Sequence, residues 1–256
     1  MNTIVLGGDA RMAALAVLLS RTGRDALHVA SAEDAAALIP GAGTIVSNCP
    51  PRLGTISIEE MLSMASENAR IFLCGPGHSE EDPRVTDLWL DEALQLENAR
   101  LTAEGAVSAA MRVSRRSLRA LPCTVIGWGR IGSRLVELLV AMGARVTVAT
   151  RSEAHRRRAI ERGAEAVPPE ALTEVLPRTA LVFSTPPVMV LDAALLARTN
   201  REALVIDLAS PPYGVDLRAA WRMGLRAWRE PGLPGRHCPE SAAEALLHAM
   251  ERGEVR

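Results

Sequence analysis

Short apolar runs alternate along this chain with stretches whose apolar positions recur every three or four residues. In the first half the runs fall at 3–6, 26–30, 44–47 and 70–74, with helical spacing near 10–22, 32–38 and 57–67 between them. In the second half they fall at 122–126, 145–149, 180–184, 203–207 and 225–228, with helical spacing near 130–142, 153–162, 192–198 and 215–223. Continuous runs of this length suit strands buried on both faces, and their alternation with helices implies βαβ units and parallel sheets. The pattern restarts at Pro122. The expected fold is therefore α/β, with two Rossmann-like doubly wound parallel-sheet domains and an interdomain cleft. The first domain is expected over 1–101 and the second over 102–238, with a C-terminal helix at 239–253 packing back on the first.

The join between the halves reads as helical. Thr102 is the expected N-cap of a stretch reaching Leu118, with Gly105 costing it ~1 kcal/mol relative to alanine. Pro239 opens the last helical pattern, which runs to Arg252.

Composition narrows the chemistry. The 256 residues include 29 basic side chains, all of them Arg, against 30 acidic ones. Without lysine there is no Schiff-base nucleophile, no P-loop lysine and no kinase strand lysine. The near-neutral charge argues against nucleic-acid binding by phosphate neutralisation. Residues 1–121 hold 11 Arg and 15 acids and residues 122–256 hold 18 Arg and 15 acids, so the second half is the better home for an anionic ligand. Seven aromatics are too few for base-stacking platforms. The cysteines, at 49, 74, 123 and 238, show neither C-x-x-C pairing nor zinc spacing and read as buried free thiols. No metal site is expected. The N-terminus lacks the pattern of a signal peptide and no run is long enough for a membrane span, so a cytoplasmic location is expected.

The most informative motif is the G-x-G-x-x-G of Gly127-Trp128-Gly129-Arg130-Ile131-Gly132. It follows the β-branched run 123–126 and opens an apolar helix, and a second strand follows Gly143, which is the context of a dinucleotide fingerprint. Gly127 allows the tight turn, Gly129 the approach of a pyrophosphate, and Gly132 the close packing of helix on strand. The second strand ends Thr150-Arg151-Ser152, with no acid for a ribose 2′-hydroxyl before Glu153. Arg151 can pair with a 2′-phosphate and Thr150 and Ser152 can bond to it, so NADP(H) is expected over NAD(H). Of Arg156 to Arg158, two are expected on a solvated helix face. Thr185-Pro186 and Asp207-Leu208-Ala209 follow later strands at the sheet edge where ligands of doubly wound folds sit, and Thr185, Pro186, Asp207 and Ala209 are expected around the ribose and nicotinamide.

Taken in order, several segments resemble the family of the dipicolinate synthase A-subunit. They are Gly7-Gly8-Asp9-Ala10-Arg11, the hinge Asn98 to Ala106 with its T-A-E-G, the two cofactor loops, Asp207-Leu208-Ala209-Ser210, and Pro231-Gly232-Leu233-Pro234-Gly235. The resemblance spans nearly the whole chain, is poor over 25–95, and breaks at Glu240 and His237. It implies a sporulation enzyme component that oxidises a dihydrodipicolinate-type precursor to the aromatic ring, and whose partner is a flavoprotein second subunit. Homo-oligomers are compatible with it.

A dicarboxylate substrate needs cationic forks, which here must be arginines. Arg11 at a helix start and Arg236 after a Pro/Gly loop are the candidates, joined by Ser47 and Asn48 at a strand end. Asp9 either holds Arg11 or caps its helix. His237 is a candidate proton carrier. Glu104 is a candidate catalytic or hinge residue, or favours a helix dipole. The loop Gly75-Pro76-Gly77-His78 is a further candidate to line the cleft. Two other readings stay open. One is a different NADP-dependent oxidoreductase of 2-hydroxyacid dehydrogenase type. The other is a non-catalytic NADPH-sensing module that binds a partner protein.

Overall fold

The computed structural model describes residues 2–47, 56–74 and 82–254. They form two compact units, one of residues 1–101 with 234–256 and one of residues 102–233.

The first unit holds a parallel five-stranded sheet. Its strands are β1 (Thr3–Leu6), β2 (Ala26–Val29), β3 (Thr44–Ser47), β4 (Arg70–Leu73) and β5 (Val85–Asp87). Their order is β2-β1-β3-β4-β5. This is the doubly wound order whose direction reverses between the first and third strands. The helices are α1 (Ala10–Arg21), α2 (Ala32–Leu38), α3 (Ile58–Met64), the start of α4 (Glu92–Ser114), most of α10 (Leu233–His237), and α11 (Pro239–Glu254).

Strand residues alternate between two cores, as a two-residue period requires. Val5, Val46 and Phe72 pack with Met12, Leu15 and Leu19 of α1 and with Ala243, Leu246 and Met250 of α11. Ile4, Leu6, Ile45, Ile71 and Leu73 face the other way, onto Ala35 and Met61. The C-terminal helix is also tied by charge. Arg24 grips Glu254 through both guanidinium nitrogens at 2.6 and 2.9 Å, and Arg252 donates to Asp91 at 2.6 Å.

The second unit holds a parallel six-stranded sheet. Its strands are β6 (Pro122–Ile126), β7 (Arg145–Ala149), β8 (Glu165–Val167), β9 (Leu181–Ser184), β10 (Leu204–Asp207) and β11 (Arg226–Arg229). The order β11-β10-β9-β6-β7-β8 is the dinucleotide-binding order, with its reversal between β6 and β9. α5 (Arg130–Ala141) and α6 (Glu153–Glu161) pack on one side, where Leu135, Val136, Leu139 and Ala159 meet Val125, Val148 and Phe183. α7 (Leu172–Val175), α8 (Ala193–Arg198) and α9 (Leu217–Arg222) cover Ile126, Val182 and Val205 on the other.

Several expectations change. The joining helix does not begin at Thr102. α4 starts at Glu92, where Asp91 Oδ1 accepts the Leu94 N–H at 2.9 Å, and it ends at Ser114, before an Arg115 with φ +55°. Thr102 and Glu104 are interior helical residues, so Glu104 meets no helix dipole end. The segment before His237 is not an open loop, because Leu233–His237 is helical with Pro234 in its first turn. The strands β5 and β8 carry no apolar run and escape the pattern. Cys74 and Cys123 are buried, but Cys238 is only half-buried. Cys49, Asn48 and the loop 75–78 lie outside the described residues.

Candidate functional site

The second unit builds its site where the sheet reverses. β6 ends at Ile126 and the chain turns at Gly127, whose φ of +96° lies in the region that favours glycine. A Cβ there would overlap Thr185 Oγ1 and come within 3.2 Å of Pro186. Thr185 is itself fixed by donating to Ile126 O at 2.9 Å. The loops after β6 and β9 therefore close on each other across the glycine. Gly132 lies one helical turn on. A Cβ on it would overlap Gly127 O and lie 3.0 Å from Gly127 C. Gly129 caps α5 with no side-chain bond, and a Cβ on it would meet nothing within 4 Å. The helix thus presents an N-terminus that no side chain of its own cap covers. That arrangement suits a diphosphate.

The end of β7 is equally specific. Thr150 is 8% exposed and its N–H is held by Val167 O at 3.1 Å. Ser152 caps α6 by accepting the His155 N–H at 3.3 Å. Arg151 is exposed, and its guanidinium makes no hydrogen bond or ion pair among the described residues. No carboxylate stands between Ala149 and Ser152. Arg156 is turned back onto the carbonyls of Thr150 and Arg151, whereas Arg157 pairs with Glu153 on the surface and Arg158 is exposed.

Asp207 ends β10 and is 1% exposed. Its carboxylate accepts the N–H groups of Ala209 at 3.2 Å, Gly214 at 3.1 Å and Val215 at 3.2 Å. Burial pushes its pKa up from the ordinary value, opposed by these bonds and by the nearby Arg229. Its side chain is spent on pinning the loop 208–215, so it acts on that loop and is not itself presented to a ligand. Arg229 stacks over the Tyr213 ring at 3.7 Å, on the same loop. Sequence reasoning passed over this pair, because an aromatic and a strand-end arginine sixteen positions apart carry no local signal.

In the first unit, the turn after β1 leads to Asp9 and Arg11. Asp9 does both things expected of it. One oxygen caps α1 through the Met12 N–H at 3.1 Å and the other takes Arg11 Nη2 at 2.9 Å. Arg11 is 7% exposed, not a surface cap residue. Gly235 comes close to both, since a Cβ on it would lie 3.5 Å from Asp9 Cγ and 3.7 Å from Arg11 Cβ. The G-G-D-A-R and P-G-L-P-G segments, at opposite ends of the chain, therefore meet. Arg236 is exposed and His237 half-buried in the last turn of α10. Ser47 is 3% exposed at the end of β3, in register with Leu6 of β1. It sits at the reversal point of the first sheet, where ligands of such sheets bind. Glu104 is half-buried within α4.

The sheet order of the second unit and its glycine turn have the form of a dinucleotide-binding domain. Residues 93–210 match the family model of the D-isomer specific 2-hydroxyacid dehydrogenase, NAD binding domain. The resemblance read from the motifs is borne out in the comparisons. The chain is 29% identical over 169 residues to the dipicolinate synthase A-subunit of Bacillus subtilis (strain 168), which is 66% of this chain and 57% of that protein. It superposes with a TM-score of 0.80 on the crystal structure of the dipicolinate synthase A-subunit from Bacillus halodurans, at 24% identity, covering 98% of this chain and 96% of that one. The corresponding dipicolinate synthase chain of Bacillus subtilis follows, with a TM-score of 0.79 at 22% identity over 100% and 96%. A transhydrogenase from Sinorhizobium meliloti shares the fold at a TM-score of 0.69 and 15% identity, over 98% and 94%.

Proposed function

We propose that this protein serves as the A-subunit of a dipicolinate synthase: an NADP-dependent oxidoreductase that converts a dihydrodipicolinate-type precursor to dipicolinate during sporulation. The cytoplasm is its location in this reading, and a flavoprotein second subunit is its partner. The observation that carries the cofactor choice is the exposed Arg151 at the end of β7, with no carboxylate beside it. An acid there would hold the ribose 2′-hydroxyl of NAD and repel the 2′-phosphate of NADP, whereas Arg151 attracts it. The similarity to dipicolinate synthase supports the substrate class.

The glycine turn and α5 fit the cofactor group, because Gly127 and Gly132 let the turn close on Thr185 and the helix on the turn, and the space beside Gly129 is open. Bound nicotinamide supplies the hydride acceptor that the oxidation requires. The chain's own residues bind, orient and move the proton. Backbone N–H groups at the start of α5 seat the diphosphate. Thr185, Pro186 and Ala209 frame the nicotinamide side. Arg11 and Arg236 pair with the two carboxylates of the substrate, and Ser47 and Asn48 bond to it. Loss of a hydride and a proton makes the ring aromatic, and His237 takes the proton in this reading, while Glu104 serves as a catalytic or hinge residue. The match to a 2-hydroxyacid dehydrogenase domain favours one second reading, reduction or oxidation of a 2-hydroxy acid.

One assay tests the substrate. Dihydrodipicolinate is generated in situ by its synthase and supplied with NADP⁺, with and without the flavoprotein partner, and dipicolinate is followed by ultraviolet absorbance. Product is expected, and its absence under every condition refutes the substrate assignment. Turnover of a 2-hydroxy acid instead, lost in His237→Ala, establishes the second reading. NADH binding as tightly as NADPH refutes the cofactor choice.

A further inference from the structure

Arg156 differs from the other two arginines of its run. It is half-buried, and its Nη1 donates to two successive carbonyls, Thr150 O and Arg151 O, both at 2.8 Å. Its own N–H is held by Ser152 O at 3.0 Å. One side chain therefore ties down the peptide groups on either side of Arg151. This is an expensive position for a cation. It lies in the first turn of α6, at the positive end of the helix dipole, next to a second arginine. The two carbonyls offset part of that charge, and a bound anion would offset more.

We propose that Arg156 is a positioning residue for the 2′-phosphate of NADP(H). It holds the backbone that carries Arg151, and it covers two carbonyl oxygens that would otherwise repel the phosphate. The inference rests on the NADP reading given above. Ser152 completes the arrangement. Its oxygen accepts from His155 N, so its hydroxyl proton is available to donate. The ligand class is a nucleoside 2′-phosphomonoester. In the same geometry a 2′-hydroxyl gains little, since it has no charge for the held guanidinium to meet.

The test uses the full chain as wild type, Arg151→Ala, Arg156→Gln and Arg156→Lys. Calorimetry with adenosine 2′,5′-bisphosphate and with adenosine 5′-monophosphate reads the site directly, and fluorescence titration with NADPH and NADH reads it in the whole cofactor. Wild type is expected to prefer the 2′-phosphorylated member of each pair, and Arg151→Ala to lose that preference. Arg156→Gln should weaken the 2′-phosphorylated ligands about tenfold and leave their partners within about twofold, the worth of one charge-assisted contact set. Arg156→Lys, which keeps the charge but has a shorter reach and no planar nitrogen to bridge the two carbonyls, should recover part of the loss. Equal weakening of both members of a pair would make Arg156 a fold support only and overturn the inference. An unchanged ratio in Arg156→Gln overturns it too, while leaving the NADP reading intact. If Arg156→Gln does not fold, the ratio in Arg156→Lys decides, and a wild-type ratio there overturns the inference. Wild type without preference for the 2′-phosphate overturns the NADP reading and this inference with it.

Discussion

Alanine at Gly132 and alanine at Gly129 should separate two functions of one glycine motif. At Gly132 the added Cβ overlaps Gly127 O and stands 3.0 Å from Gly127 C, both backbone atoms that cannot rotate away. Restoring a carbon–carbon separation of about 3.5 Å moves the first turn of α5 away from β6 by about 0.5 Å, and relieving the overlap with Gly127 O takes more. Overpacking of this kind costs about 1–3 kcal/mol, and the better helix propensity of alanine returns about 1 kcal/mol. The net loss of stability is thus about 0–2 kcal/mol. Binding suffers more, because the glycine turn and the helix N–H groups no longer face one phosphate together. Loss of one charged-acceptor hydrogen bond, worth about 1.5–3 kcal/mol, raises the NADPH Kd about 10- to 100-fold. At Gly129 the Cβ meets no protein atom, so only the N-cap preference changes, by about 0.5–1 kcal/mol. The methyl instead occupies the approach of the diphosphate, and Kd should rise by a similar factor with little change in melting. The assay is NADPH fluorescence titration beside thermal unfolding, on both variants. Wild-type affinity in Gly132→Ala would refute the close-packing argument. Wild-type affinity in Gly129→Ala would refute the placement of the diphosphate.

Five further outcomes follow from the geometry. Asp207→Ala strands the N–H groups of half-buried Ala209 and of buried Gly214 and Val215, and should cost about 2–4 kcal/mol in denaturant unfolding; a loss under about 0.5 kcal/mol would sink the loop-pinning role. Burial raises the folded pKa of Asp207 above the ordinary 3.8, so the protonation-linked part of its contribution is fully present below pH 3.8 and is lost as pH rises through the folded value, while its loop hydrogen bonds remain; a stability–pH curve in which Asp207→Ala changes nothing but the offset would refute the shift. Glu254 runs the opposite way: its hydrogen bond to Arg24 holds it below 4.5, so its contribution is present above pH 4.5 and is lost as pH falls, and Glu254→Gln should flatten the acid limb of a stability–pH curve. The Cys123 thiol, pushed up to about 12 by burial, should resist alkylation at pH 8 until the protein unfolds, while half-buried Cys238 reacts in the native state. Arg11→Ala should raise the substrate KM at least tenfold, and it should also lower the melting temperature, because it removes a buried partner of Asp9; unchanged KM would remove Arg11 from the substrate site.

Strands were legible where their residues are mostly apolar or β-branched. Residues 3–6, 44–47, 122–126 and 145–149 are strands as read. Val85–Asp87 and Glu165–Val167 were not, since an edge strand of three residues needs no apolar run and gains its pairing from a neighbour. Thr102 misled because a threonine before a glutamate looks like a cap wherever it occurs. The working cap, Asp91, has an extended backbone just before the helix, whereas Thr102 lies within it. The cofactor loop was readable, as the positive φ of Gly127 and the contact of Gly132 with Gly127 arise within six residues, although the closure of Gly127 on Thr185 does not.

The sequence by itself determined the class of fold, the glycine cradle, and the rule that every strong cation must be an arginine. These are local properties: periodicity, turn geometry and composition act over a few residues or over none. Tertiary structure alone decided that Asp9 and Arg11 lie against Gly235, that Asp207 faces its own loop rather than solvent, and that Arg156 leaves its solvated neighbours to hold the backbone of Arg151. The physical reason is that a charged side chain has no intrinsic partner. Its partner is whichever acceptor the packing of the apolar elements leaves within reach, and that is known only after the chain has folded.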